Sequence, residues 1–112
     1  MMLITAVVPP SRVDRLTETL ALFGVRGLTV SHTFAPARPG AVVEIYRGNR
    51  WSKSFVPWVR LEILAPDVDT PDLVRVISRA VEPVAVSDVL VWATRVDYLV
   101  RIRTGELGLD AL

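Results

Sequence analysis

The chain contains no cysteine, one histidine (His32) and one lysine (Lys53). Without cysteine there is no disulfide, no thiolate nucleophile and no zinc site that depends on thiolates. With one histidine, a histidine cluster or triad cannot assemble within one subunit; carboxylate-only Mg²⁺ or Ca²⁺ sites and pairings between subunits remain open. An excess of charge of one sign is also missing. Thirteen basic groups against twelve acidic ones leave a net charge of +1, which gives no electrostatic case for a nucleic-acid partner or an acidic membrane. No apolar run approaches the roughly 18 residues of a membrane span. Residues 1–8 are apolar but lack the basic region that opens a signal peptide. The expectation is a cytoplasmic protein that neither inserts into a membrane nor binds nucleic acid.

The chain has 112 residues, 51% of them apolar and 22% charged. This length suits one domain with one core, and the composition is that of a globular protein. Twelve of the thirteen basic residues are arginine. Arginine favours planar, bidentate contacts to carboxylate or phosphate, although genomic base composition produces the same bias.

Residues 2–8 form an apolar run stopped by Pro9 and Pro10, as a strand buried on both faces would be. Ser11 stands as a helix N-cap with Asp14 three residues on. Val13, Leu16, Leu20 and Phe23 follow at helical spacing, and Gly24 closes the helix. Residues 28–34 read as a second strand, with Leu28, Val30, His32 and Phe34 on one face. Residues 58–64 alternate as a half-buried strand, with Val59, Leu61 and Ile63 opposite Trp58, Arg60 and Glu62. Thr70 and Pro71 open a second helix whose buried stripe is Leu73, Val76, Ile77 and Ala80, and Pro83 ends it. Residues 89–93 make a fourth strand, and residues 98–102 suggest a short fifth.

Between the second and third strands the pattern breaks. Residues 35–57 carry Pro36, Pro39, Gly40, Gly48 and Pro57, a segment too long for a routine connection. Arg38, Arg47, Arg50 and Lys53 stand against Glu44 alone, four cations to one acid and a local charge of +3, interleaved with Tyr46, Trp51 and Phe55. A long loop with cations and aromatics reads as an interaction loop; the bland alternative is a hairpin without a role. The strand and helix order gives an α+β class: a ferredoxin-like βαββαβ sandwich, four antiparallel strands with two helices on one face. That architecture hosts enzymes, RNA binders, metallochaperones and sensors, so it does not name a function.

Several stretches taken in order are similar to one family. These are Met-Leu-Ile-Thr-Ala-Val-Val near the start, Gly-Val-Arg-Gly-Leu-Thr-Val from Gly24, and Glu-Ile-Tyr-Arg-Gly from Glu44. Val-Arg-Leu-Glu-Ile from Val59, Val-Arg-Ile-Arg-Thr-Gly-Glu from Val100, and the ending Asp110-Ala111-Leu112 complete the set. Together and without a gap they resemble the PII family of trimeric signal-transduction proteins. The resemblance implies a homotrimer with ligand sites in the clefts between subunits. It also implies a T-loop, roughly residues 37–55, that docks onto a membrane transporter or a metabolic enzyme, and a role that is regulatory rather than catalytic.

The resemblance further implies that Thr29, Arg38, Glu62, Leu64, Asp88, Arg101 and Arg103 line a nucleotide cleft taking ADP, AMP or ATP. Glu44, Tyr46, Arg47, Arg50, Trp51 and Lys53 are implied as the partner-binding T-loop residues. Guanidinium groups suit a phosphate, since each offers two parallel hydrogen bonds. The chain departs from the family at identifiable points. The phosphate-cradling B-loop of the family, rich in glycine and followed by a lysine, reads Val84-Ala85-Val86-Ser87-Asp88-Val89-Leu90 here, with no glycine. Pro39 stands where the family has a glutamine, Pro9 and Trp58 stand where it has lysines, and Trp51 stands where many members carry a tyrosine that is uridylylated. These departures set two alternatives beside the sensor reading. One is a divergent PII-like protein linked to metal or anion transport, without an ATP and 2-oxoglutarate switch. The other is a trimeric scaffold that senses nothing. A ferredoxin-like enzyme is disfavoured because no acid, base and nucleophile arrangement presents itself.

Overall fold

A computed structural model of the chain describes residues 1–36, 43–46, 49–52, 55–82 and 89–112, with backbone alone for 43–46 and 49–52. The central strand is β1 (Met2–Val8). Its alternate residues Ile4, Ala6 and Val8 are fully or almost fully buried on the face that the helices cover. Pro9 and Pro10 end the strand, and residues Pro10–Arg12 turn as a 3₁₀ segment into α1 (Val13–Phe23). Ser11 therefore lies inside that turn and is not an N-cap. The residue before α1 is Arg12, whose side chain makes no capping bond. At the other end the expectation holds: Gly24 has φ 101° and its N–H donates to the Ala21 carbonyl at 3.1 Å. An L-residue resists that left-handed conformation, whereas glycine adopts it freely.

Strand β2 (Thr29–Pro36) pairs antiparallel with the longest strand, and between the two in sequence lie β3 (Val43–Tyr46) and β4 (Asn49–Ser52), which pair with each other as a separate two-stranded sheet. The long strand is β5 (Phe55–Ala65), which also pairs antiparallel with β1. The expected break at residues 35–57 is thus narrower than the prolines suggest. Pro36 is the last residue of the edge strand β2. Pro57 lies where β5 has β2 beside it but has already passed the end of β1, whose last partner is Val59. Proline is tolerated at such places because one side of the strand needs no N–H for a ladder.

After a 3₁₀ turn at Asp67–Asp69, α2 (Thr70–Ala80) buries Leu73, Ile77 and Ala80 against the sheet. Thr70 is the first helical residue and not the cap; its Oγ1 donates to the Pro66 carbonyl at 3.1 Å. Pro83 lies outside the described residues. Strand β6 (Leu90–Arg95) begins one residue later than expected and runs two residues further. The sheet order is β2-β5-β1-β6, all neighbours antiparallel, which is the ferredoxin-like arrangement. Residues 98–102 do not form a fifth strand: a single bridge joins Val100 to Leu107, and a 3₁₀ turn follows at Gly108–Ala111.

The helices cover one face of the sheet only. The core between them comprises Ile4, Ala6, Val8, Leu16, Leu20, Val59, Leu61, Ile63, Ala65, Leu73, Ile77, Ala80 and Val81. The ladder registers align Thr29, Glu62, Thr5 and Trp92 in one row on the opposite face. Thr5 is 1% exposed there, while Trp92 and Leu90 at the β6 edge are exposed. Among the described residues, no helix is long and apolar enough to cross a membrane.

Candidate functional site

Strand alternation decides which side chains meet. Glu62 and Leu64, two residues apart on β5, lie on the face away from the helices. Their partners in the ladders extend that surface in both directions: Thr29 on β2 opposite Glu62, and Leu3 on β1 opposite Leu64. The connection from α1 to β2 borders the same ground, because the left-handed turn at Gly24 sends residues 25–28 back toward the start of β2. The result is an open cleft of about 1030 Å³. Its walls include Leu3, Phe23, Leu28 and Leu64 from the sheet end and the α1–β2 connection, and Leu99, Leu109 and Ala111 from the C-terminal segment.

Four of the residues singled out from the sequence come together in this cleft: Thr29, Glu62, Leu64 and Arg101. Thr29 is exposed, whereas Glu62 and Leu64 are half-buried. Glu62 also carries an ion pair, its Oε1 3.4 Å from Nε of Arg60 on the same strand face. Arg101 gives Nη2–H to the backbone carbonyl of Ala111 at 2.7 Å. An arginine two residues from another in extended chain would share its face, but this stretch is a turn. The Arg101 N–H donates to the Glu106 carbonyl, and the Arg101 carbonyl accepts from Gly105 at 2.7 Å. Arg103 accordingly stands exposed on the turn and is not among the residues lining the cleft. Arg38 and Asp88 lie outside the described residues.

Sequence reasoning did not single out Arg26 or Asp69, which also line the cleft. Arg26 carried a readable signal, a cation set between Gly24 and Gly27 where a helix hands over to a strand. Asp69 carried none, since its place follows from the turn between β5 and α2. The resulting mixture of apolar walls with a hydroxyl, two carboxylates and two guanidinium groups suits a ligand with one flat or apolar part and one anionic part.

The loop residues fall differently. Glu44 and Tyr46 belong to β3, and Arg50 and Trp51 to β4; in the register Glu44 stands opposite Trp51 and Tyr46 opposite Asn49. Arg47 and Lys53 lie outside the described residues. Phe55, the last residue of the expected loop, is the first of β5. Trp58 is 9% exposed and so is packed, although the strand alternation puts it on the face opposite Val59, Leu61 and Ile63. His32 lies on β2 opposite Val59, exposed.

The family model described as nitrogen regulatory protein P-II matches residues 1–106 of the chain. Over 109 residues, 97% of both chains, the sequence is 31% identical to the nitrogen regulatory protein P-II of Rhizobium meliloti. It is 32% identical over the same coverage to that of Azospirillum brasilense. It is also 29% identical to the nitrogen regulatory protein GlnK of Escherichia coli across 100% of both chains. With the four-stranded order and the cleft at the end of the sheet, these matches leave one assignment: the chain belongs to the nitrogen regulatory protein P-II family.

Proposed function

We propose that this chain is a signal-transduction regulator that works as a homotrimer, takes a small ligand in its cleft and acts on a membrane transporter or metabolic enzyme through the segment 37–55. The observation that carries the reading is the convergence on one cleft of Thr29, the β5 pair Glu62 and Leu64, and Arg101, drawn from three separate stretches of the sequence. The ligand class is an adenine nucleotide: a flat base suits the apolar walls, and phosphate suits a guanidinium that keeps its charge at every working pH. Support for the trimer comes from the helix-free face of the sheet, where Leu90 and Trp92 are left exposed. Apolar side chains of that size on an uncovered sheet face favour association with further copies. Support for a docking role comes from the sequence of the segment that joins β2 to β5, where Arg38, Arg47, Arg50 and Lys53 stand against Glu44 alone and are interleaved with Tyr46 and Trp51.

Calorimetric titration with ADP, AMP and ATP tests the reading. Saturable binding that Arg101→Ala weakens supports it. The absence of heat with all three nucleotides, together with unchanged melting temperatures, rejects it, because a ligand specific for the folded state must raise its stability.

A second reading concerns what has been lost. Trp58 replaces a lysine of the family and is packed away, and residues 84–90 contain no glycine. Each hydrogen bond lost to a charged phosphate costs about 1.5–3 kcal/mol, while micromolar binding amounts to only about 8 kcal/mol. The reading is therefore a divergent member without the MgATP and 2-oxoglutarate switch. Micromolar MgATP binding strengthened by 2-oxoglutarate would reject it.

A further inference from the structure

Arg101 reaches the cleft from a segment that is neither helix nor strand, yet it is fixed at three points. Its N–H donates to the Glu106 carbonyl at 2.9 Å, its carbonyl accepts from Gly105, and Nη2 donates to the carbonyl of Ala111 at 2.7 Å. Ala111 is 5% exposed, the buried residue of the turn Gly108–Ala111. That turn is itself anchored at its start, where Gly108 takes φ 61° and gives its N–H to the Leu99 carbonyl at 2.9 Å. The carbonyl that meets the guanidinium is therefore part of a seated structure.

The chemistry of the partner matters. A guanidinium has five N–H groups in one plane, and this bond uses one of them. A carboxylate partner would cancel the charge, whereas a neutral carbonyl fixes the direction of the group and leaves the charge in place. The remaining donors belong to a residue that lines the cleft beside Thr29 and Glu62. Holding the side chain before a ligand arrives also removes rotamer entropy that binding would otherwise cost.

We propose that Ala111, through its backbone carbonyl, is a positioning residue that aims the Arg101 guanidinium at the anionic part of the ligand. The turn Gly108–Ala111 is then a working wall of the site. This rests on the reading of the cleft as a nucleotide site.

The test is a double-mutant cycle on the full chain, read by calorimetry with ADP and with adenosine as probes. Ala111→Leu overfills the seat of the turn, and Gly108→Val denies the chain its left-handed residue; either suffices if the other fails to fold. Each variant is expected to weaken ADP binding roughly tenfold, the equivalent of one charge-assisted hydrogen bond. Binding of adenosine, which has no phosphate, should not change. In an Arg101→Ala background the same substitutions should have no further effect on ADP. Equal losses for ADP and adenosine, or a full additional loss in the Arg101→Ala background, would show a merely structural role and overturn the proposal. Tight ADP binding untouched by both folded variants overturns the positioning alone. A wild-type protein that binds neither probe overturns the nucleotide reading and the proposal with it.

Discussion

Thr29 and Glu62 stand directly opposite each other in the β2–β5 ladder, and both line the cleft. Each brings one polar side chain to a largely apolar wall, so each should matter to a ligand more than to the fold. Thr29→Ala and Glu62→Gln are expected to weaken ADP binding by about two- to twelvefold, the equivalent of about 0.5–1.5 kcal/mol for one hydrogen bond. Denaturation midpoints should move little for Thr29→Ala, because Thr29 is exposed. Titration calorimetry paired with urea unfolding checks both statements.

Two glycines near the cleft separate backbone strain from space. No atom lies within 4 Å of the position a Cβ would take at Gly24 or at Gly27, but only Gly24 has a positive φ, 101°. Gly24→Ala should therefore destabilise the ligand-free protein by about 1–2 kcal/mol, the cost of a left-handed L-residue. Gly27→Ala should be neutral or slightly stabilising through the unfolded chain. A denaturant midpoint shift of equal size in both variants would contradict this account.

Ile77 and Leu61 are each 1% exposed and face each other's layer in the core. Truncating either to alanine should cost about 2–5 kcal/mol, from lost transfer energy and from the cavity left behind. The slope of the urea transition should stay constant while its midpoint falls.

The packing of these residues was readable from spacing alone: Leu73, Ile77 and Ala80 on α2, and Val59, Leu61 and Ile63 on β5, follow the periods of a helix and a strand. Errors arose where a local signal was outweighed by its neighbours. Pro36 and Pro57 looked like breakers, but a proline breaks a strand only where its missing N–H is needed, and neither place needs it. Ser11 looked like a cap, but residues 10–12 form a tight turn and the helix starts at Val13, one residue later than a Ser11 cap implies. Tyr98 to Ile102 had the residues of a strand, yet Gly105 and Gly108 fold that segment on itself. For the candidate site, the resemblance named Thr29, Glu62 and Leu64, and the β2–β5 register and strand alternation place them along one cleft. The wall formed by residues 108–111 was not, since its role depends on one backbone carbonyl, and any sequence has a carbonyl at every position.

Asp67 gives a pH prediction. Its carboxylate is paired with the amino group of Met1, and that hydrogen bond, opposed by slight desolvation, holds its pKa below the ordinary value of 3.8. A carboxyl depressed in the folded state binds its proton more readily when unfolded. Its contribution is thus complete above the unfolded value and is lost as pH falls through the lowered folded value. Asp67→Asn should flatten this part of the acid limb and leave stability near pH 7 only slightly reduced, because the pair is exposed and screened by salt. Thermal melts from pH 7 down to about pH 2, repeated at high salt, check the sign.

The helix-free sheet face predicts the assembly state. Trp92→Glu places a charge in the row that also holds Thr5 and Glu62. The wild-type protein should sediment at three times the 12.4 kDa chain mass, and the variant at one. A wild-type monomer at micromolar concentration would remove the trimer from the reading.

One consequence of the sheet geometry concerns signalling distance. Strands β2 and β5 continue together past the end of β1, so that the paired residues from Thr29 and Glu62 to Pro36 and Phe55 form a single ribbon. Seven steps at about 3.3 Å make it about 23 Å long. Among the described residues its outer end has no third strand to stiffen it, and two-stranded ribbons twist more freely than wide sheets. The cleft residues Thr29 and Glu62 lie at one end of this ribbon, and the segment that the proposed function assigns to docking follows the other end in sequence. On the proposed function, a small angular change at the cleft end would be multiplied by the length of the arm at the other.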